Sequence, residues 1–504
     1  MPNRDTAALR AYHEVTSHSV ARLRQDPHWL DWDIMPRPFK VYPTLEPIPL
    51  PRDLTTAPLP ALAALATTAA SPGRPLDRAA LAHLLYFSAG VLRRRAYPGG
   101  EIFFRAAACT GALYHVDLYL ACGPLPDLDA GLYHFGPHDF ALRRLRAGDH
   151  RAALVAASSD EPAVAAAPVV VAATSTFWRN AWKYRARAYR HAFWDTGTLL
   201  ANLLAVAAAA GIAARVVLGF VDADVNRLLD VDGEHEAAIA LVALGAGAPA
   251  PPPAPAAPPL GLDVLPYSPH EIAYPAISAA HTASALATPA EVAAWRAAPP
   301  PAPPARAAGP LVALPPPAAP PPEPIEHVIV RRGSARAFGH EPIALAELAA
   351  LLRAATADVP IDASAPSTVY LVANAVADLD PGAYAHDPGR HGLERLRAGD
   401  FRRTAGHLGL GQDLPADAAA NLFWLADLDA VLGRFGNRGY RAAQLAAAIA
   451  GGRVYLAAYA LGLGATGLTF FDDDVTAFFS PHAAGRSVMF LVAVGHPARG
   501  GPRS

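Results

Sequence analysis

"GLYHFGPHDFALRRLRAGD" at 131–149 returns 251 residues downstream as "GAYAHDPGRHGLERLRAGD" at 382–400, with no gap. The same offset carries "RAYR" at 187–190 onto "RGYR" at 438–441, and Gly211 onto Gly462. A separation held constant across so much chain signals a duplicated domain rather than shared composition. Two copies are too few for a solenoid, so the expectation is a tandem pair closing on itself as an intramolecular pseudo-dimer.

Between the copies lie "APAPPPAPAAPPLG" (248–261) and "PPPAPPARAAGPLVALPPPAAPPPEP" (299–324). Tracts of this kind cannot form helix interior or central strand, and they predict a linker region over 248–324. The 504 residues then divide into an N-terminal extension (1–54), a first domain (55–247), the linker and a second domain (325–504). Within the copies, "ALYHVDLYLACG" (112–123), "STVYLVANAV" (367–376) and "RSVMFLVAVG" (486–495) read as strands. "RAAQLAAAIAGGRVYLAAYALGLG" (441–464) reads as one long helix closed by glycine. The class is α+β.

Hydrophobic residues make up 52% of the chain and charged residues 17%, so apolar material for two cores is ample. A net charge of −2 disfavours a nucleic-acid binder. The two cysteines, Cys109 and Cys122, offer neither a disulfide framework nor a metal-ligand spacing, which fits a reducing cytoplasm. The start of the chain is polar and shows no signal peptide. "LLANLLAVAAAAGIAARVVLGF" (199–220) is interrupted by Arg215 and reads as buried helix then strand, not a membrane span.

Three motifs gather in the second copy. "VIVRRGSARAF" (328–338) offers hydroxyl, backbone N–H and guanidinium donors suited to a phosphate. "GLGATGLTFF" (462–471) lets backbone approach a flat ligand, and "VGHPARG" (494–500) sets Arg499 beyond the last strand. In this order they resemble the FMN-dependent nitroreductase family, and the whole chain is similar to its SagB-type dehydrogenase branch. "YHEVTSHS" (12–19), "DPHWLDWDIMPRPFKVYP" (26–43), "FFRAAACTGALYHVDLYL" (103–120), "WKYRARAYRH" (182–191), "VNRLLDVDGEHEAA" (225–238) and the run 437–475 carry that likeness.

The resemblance implies two tandem nitroreductase-like domains with FMN at their interface. One side would supply Arg332, Ser334, Arg336, Gly464, Ala465, Thr466, Gly467 and Arg499. The other would supply a turn that is Pro-Ser-Ala-Gly-like in the family and is Ala108, Cys109, Thr110 and Gly111 here. The offset makes the halves complementary: the first copy has no RGSxR turn, and its "GIAARV" (211–216) sets Arg215 against Thr466, while the second copy has no Ser-Ala-Gly turn. The expectation is one intact flavin site and one decayed site per chain.

"FWRNAWKYRARAYRHAFWDTG" (177–197) crowds cations and aromatic rings into one predicted helix. Lys183 and Tyr184 match the Lys-Tyr pair that SagB-type azoline dehydrogenases use for proton abstraction, and they are the expected catalytic residues. Their counterparts at the 251 offset, Arg434 and Phe435, are useless as bases near neutral pH. Arg187, Tyr189 and Arg190 recur as Arg438, Tyr440 and Arg441 and read as holding the domains together. Arg179, Arg185 and Arg187, with burial by Trp182, are expected to lower the Lys183 pKa. "FFDDDV" (470–475) reads as a loop or helix cap and "DGEHE" (232–236) as a surface loop, and no metal site is expected. Cys109 lacks a nearby second cysteine for redox chemistry.

The resulting expectation is a cytoplasmic FMN-dependent oxidase or dehydrogenase that aromatises an azoline or related heterocycle in peptide natural-product biosynthesis. Its substrate class is a small-molecule, peptide or carrier-bound heterocycle, with O2 as electron acceptor. No nucleic acid or membrane partner is expected, while a homodimer and biosynthetic-complex partners stay open. Two alternatives stand beside it: an NAD(P)H-dependent nitroreductase-like reductase of small aromatics, and a flavin-less scaffold paralogue.

Overall fold

Apolar, β-branched runs in each repeat pair antiparallel, and both repeats do so in the same order. The structure, a computed structural model, describes residues 2–67, 74–97, 100–299, 310–316 and 321–498. The first repeat carries β1 (Ile48–Pro49), β2 (Val91–Tyr97), β3 (Gly100–Arg105), β4 (Val116–Cys122), β5 (Gly131–Gly136), β6 (Ala141–Ala147), β7 (Val169–Thr176), β8 (Ala214–Val217) and β9 (Glu236–Leu244). The second carries β10 (Leu311–Ala313), β11 (Thr368–Ala373), β12 (Gly382–Asp387), β13 (Gly392–Ala398), β14 (Ala420–Ala426), β15 (Gly464–Gly467) and β16 (Ser487–Gly495). The seven-stranded sheets are ordered β1-β6-β5-β4-β7-β9-β8 and β10-β13-β12-β11-β14-β16-β15, with β2 and β3 forming a separate hairpin.

β1, from the N-terminal extension, and β10, from the proline-rich region, take the equivalent edge in each sheet. At an edge a proline deletes no needed ladder bond. The proline-rich region also holds two short helices, Pro275–Ala283 and Pro289–Arg296. β5, β6, β7 and β9 begin 251 residues before β12, β13, β14 and β16. β8 and β15 stand 250 apart, because the first repeat has one extra residue between helix and strand. Pairing with Ala243 of β9 and with Val494 of β16 therefore makes Arg215 the structural equivalent of Ala465, one position from the expected Thr466.

Two long helices, Ala188–Ala209 and Arg438–Ala460, cross at the centre, each lying on its own sheet. At the crossing Gly197 faces Ala448 and Gly452 faces Ala201, close enough that a Cβ added to either glycine would lie 2.5 or 2.6 Å from its partner's. Each of these residues meets its own counterpart at the 251 offset, which marks a pseudo-twofold axis. Two buried ion-pair clusters flank the axis. Asp472 binds Arg187 at 3.0 Å and Arg190 at 2.6 Å, and Asp222 binds Arg438 at 2.8 Å and Arg441 at 2.7 Å. Burial alone would raise both carboxyls, but the paired arginines hold them well below the usual range.

Three expectations need correction. The helix ending "LGLG" stops at Ala460; Gly462, at φ 78°, turns the chain so that Gly464 opens β15. The stretch 177–197 is not one helix: Phe177–Tyr184 ends at Arg185, a turn spans Arg185–Arg187, and the long helix follows. Within "DGEHE", Glu236 is no surface residue; it is buried on β9 and bonded to Lys40 at 2.6 Å. The apolar run 177–209 is long enough to cross a membrane but lies buried inside the protein.

Candidate active site at the inter-domain seam

The second repeat's motifs converge. The helix Ile325–Arg331 ends at Arg332, and the extended residues that follow run along the sheet edge. Ala335 N–H donates to the Ala465 carbonyl at 2.9 Å, Gly339 N–H to His496 at 2.8 Å, and Ala498 N–H to Ala337 at 3.1 Å. The RGSAR segment, the GATG strand and the chain's last described residues thus share one surface. A Cβ on Gly464 would press on Pro497 at 3.1 Å. Ser334 is half-buried there, whereas Arg336 is exposed and, among the described residues, joins none of the others. Arg499 lies outside the described residues.

Arg332 crosses the seam. Its guanidinium donates to the Ala106 carbonyl of the first repeat at 2.9 and 3.2 Å and lies 5.9 Å from the Tyr455 ring. It contacts no carboxylate among the described residues, and burial lowers its pKa. A cation held at a seam by carbonyls alone, beside a strand of small residues, suits an anionic, planar ligand.

Facing it, the first repeat's turn is shaped by Gly111 at φ 62°. A Cβ there would lie 2.7 Å from the Tyr184 hydroxyl, so the turn and the phenol are in contact. The turn is anchored by a residue the sequence reading missed, Asp195 of the long helix. Its Oδ1 accepts from Thr110 N–H at 2.9 Å and Thr110 Oγ1 at 2.7 Å. Its Oδ2 meets Cys109 Sγ at 3.0 Å and His115 Nε2 at 2.8 Å. His115 Nδ1 in turn meets Ser175 Oγ at 2.8 Å. Burial raises the Cys109 pKa strongly and Asp195 adds to it, so the thiol keeps its proton. The Cys109, His115 and Asp195 ligand atoms lie within 4.8 Å of one another, the one such cluster among the described residues. Both contacts converge on a single carboxylate oxygen, so the cluster is a hydrogen-bond network.

Lys183 and Tyr184 occupy the last turn of Phe177–Tyr184, and Lys183 Nζ lies 5.5 Å from the Tyr184 ring centroid. Lys183 is half-buried and, among the described residues, makes no hydrogen bond or ion pair. The arginines expected to act on it are each neutralised: Arg179 by Asp117 at 2.5 Å, Arg185 by Asp26 at 2.6 Å and Arg187 by Asp472. Burial pushes the Tyr184 phenol up, with Asp195 and Cys109 adding to the effect. Behind it, His191 packs edge-on at 4.6 Å, its Nδ1 bonded to Asn180 at 2.8 Å.

The pseudo-symmetric second seam is closed. Val216 N–H donates to the Pro360 carbonyl at 2.8 Å, and Asp362 N–H to Val216 at 3.1 Å. The buried Asp362 carboxylate accepts from Leu218 N–H and Gly219 N–H at 2.8 Å. Trp295, from the proline-rich region, packs on Phe435 at 5.6 Å, and Arg434 is tied to the Pro299 carbonyl at 2.6 Å. Of the counterparts of Lys183 and Tyr184, Phe435 is buried there and Arg434 is exposed. At the first seam, among the described residues, no hydrogen bond joins the 108–111 turn to the 464–467 strand.

Comparison with known proteins places these features among relatives. The nitroreductase family profile matches residues 136–246 and 329–496. A protein of Methanocaldococcus jannaschii assigned as a nitroreductase, MJ1384, is 27% identical over 161 residues, covering 30% of this chain and 81% of that protein. A crystal structure of an Anabaena variabilis protein, also assigned as a nitroreductase, superposes with a TM-score of 0.77 at 26% identity, covering 97% of this chain and 99% of that one.

Proposed function

The chain belongs to the nitroreductase family, and from that premise we propose an FMN-dependent dehydrogenase that oxidises an azoline, or a related dihydro-heterocycle, to its aromatic form. The observation that carries this reading is the asymmetry of the two seams. In one, no hydrogen bond joins the turn to the strand among the described residues, and the Tyr184 hydroxyl lies against Gly111 with Lys183 next to it in sequence. In the other, Val216 is bonded to Pro360 and Asp362, and the pair is replaced by Arg434 and Phe435. Cytoplasmic location, a peptide or carrier-bound substrate and O2 as final acceptor belong to the same reading.

Bound FMN supplies the two-electron acceptance that aromatisation requires. Arg332, with Ser334 and the Gly464–Gly467 strand, would hold its anionic and polar edges from the second repeat. Thr110 and Gly111 would close over it from the first. Lys183 would accept the proton leaving the ring carbon of the substrate. Tyr184 keeps its proton at neutral pH, since burial raises its pKa, and so serves as a hydrogen-bond donor that orients the heterocycle. Trp182, buried against Trp32 at 5.3 Å, keeps solvent from one side of the helix that carries the pair.

The test pairs stoichiometry with turnover. FMN titration should saturate at one flavin per chain, and Lys183→Ala should lower azoline oxidation about 100-fold or more while leaving FMN bound. Two flavins per chain, or full turnover by Lys183→Ala, would defeat the reading. Rapid reduction by NADPH with no reaction towards an azoline would favour the reductase alternative instead.

A further inference from the structure

Asp195 stands out as a buried carboxylate on which four hydrogen-bonding groups converge, one of them the His115 imidazole at 2.8 Å. A buried anion is expensive unless its lone pairs are filled, and here each oxygen receives two contacts. Three of the four partner groups belong to the turn, Cys109 and both polar groups of Thr110. The fourth, His115, is itself braced by Ser175 at the end of β7. Beside Asp195 the turn is held by Thr198 Oγ1, which donates to the Ala108 carbonyl at 2.7 Å, and by Tyr114 N–H, which donates to Cys109 Sγ at 3.1 Å. Gly111, Ala112 and Tyr114 all take positive φ values, of 62°, 55° and 47°. Such a backbone persists only where its surroundings determine it.

The internal duplication separates fold from chemistry. At the 251 offset, Asp195 becomes Ala446, His115 becomes Pro366, Ser175 becomes Ala426, and Cys109 and Thr110 become Pro360 and Ile361. The whole network is missing from the copy whose seam is shut and whose Lys-Tyr pair is Arg434 and Phe435. Over the same span Arg187, Tyr189 and Arg190 are kept as Arg438, Tyr440 and Arg441. A network needed only to hold the fold has no reason to vanish with the reactive pair.

We propose that Asp195 is the positioning residue of this site: through Thr110, Cys109 and His115 it locks the 109–111 turn in the shape that receives the flavin and seats the Tyr184 hydroxyl. The proposal rests on the flavin reading of the first seam. Asp195→Asn keeps the shape and the Thr110 bonds but turns an NH2 towards Cys109 and His115. His115 can answer by exchanging tautomers with its bond to Ser175; the Cys109 thiol loses its carboxylate acceptor and keeps only the longer contact to the Thr110 carbonyl at 3.9 Å.

The experiment has two arms on the full-length protein. In the flavin-free chain, iodoacetamide labelling of Cys109, followed by peptide mass mapping to separate it from Cys122, should run at least fivefold faster in Asp195→Asn than in the native protein. In FMN titration, Asp195→Asn should bind at least tenfold more weakly, and Thr110→Val, which keeps the backbone donor, about threefold more weakly. Native labelling and native FMN affinity in Asp195→Asn would overturn the proposal. If Asp195→Asn does not fold, Thr110→Val and Cys109→Ala decide it, native affinity in both counting against. Should the native chain bind no FMN at all, the functional reading falls, and the labelling arm alone judges the positioning role.

Discussion

At the scale of single residues, contact between Gly111 and Tyr184 ties the 109–111 turn to the Tyr184 phenol. A side chain at Gly111 meets two obstacles, the positive φ and the phenol oxygen 2.7 Å from the new Cβ. Gly111→Ala should therefore cost about 1 kcal/mol or more in stability and displace Tyr184. Turnover should drop at least tenfold, read by steady-state assay, with a fall of several degrees in melting temperature; unchanged values for both would remove the contact from the account. The same scale shows what a one-dimensional reading misses. Lys183 and Tyr184 could be nominated from the sequence because they are adjacent, match a family motif and are absent from the second copy. Asp195 was not, because its partners lie 80 to 86 positions away and come into range only when the long helix packs on the sheet.

At the scale of elements, the break between Phe177–Tyr184 and Ala188–Ala209 decides how Lys183 and Tyr184 are presented. Arg185 sits there at φ 52° and ψ −140°, a region that residues with a Cβ avoid. Its counterpart at the 251 offset is Gly436, at φ 64° and ψ −162°. The bend belongs to the fold and is kept in both repeats. Glycine adopts it freely in the second, and the first tolerates strain beside Lys183 and Tyr184. The Arg185–Asp26 ion pair is partly exposed and contributes little against that strain. Arg185→Gly should consequently raise stability by about 1 kcal/mol, measured by chemical denaturation; a loss of stability would refute the strain. Periodicity alone predicted one continuous helix, because cationic and aromatic residues fit a helical pattern on either side of the bend.

For the whole molecule, the crossed clusters of Asp222 and Asp472 make each repeat depend on the other. Asp472 also reaches the N-terminal segment, accepting from His18 N–H at 2.8 Å. His13 and His18 are held neutral there, their pKa values lowered to about 3, chiefly by burial and then by the neighbouring arginines. The unfolded chain binds protons at these imidazoles near pH 6.5 while the folded one does not, so stability falls as pH drops from about 6.5 towards 3. The two aspartates act in the same direction lower down: their depressed folded pKa values give stability that is full above about pH 4 and lost below it. Melting temperature should decline steadily between about pH 7 and pH 4, and a flat profile would contradict the buried neutral imidazoles. The sequence by itself determined the duplication and the paired sheets, since an offset and a pattern of hydrophobic and β-branched residues survive in one dimension. Only the tertiary structure decided which seam is bonded shut. That outcome turns on Trp295 and Asp362 reaching β8 and Phe435, and on Asp195 reaching Thr110, contacts between segments whose separation along the chain leaves no local signature.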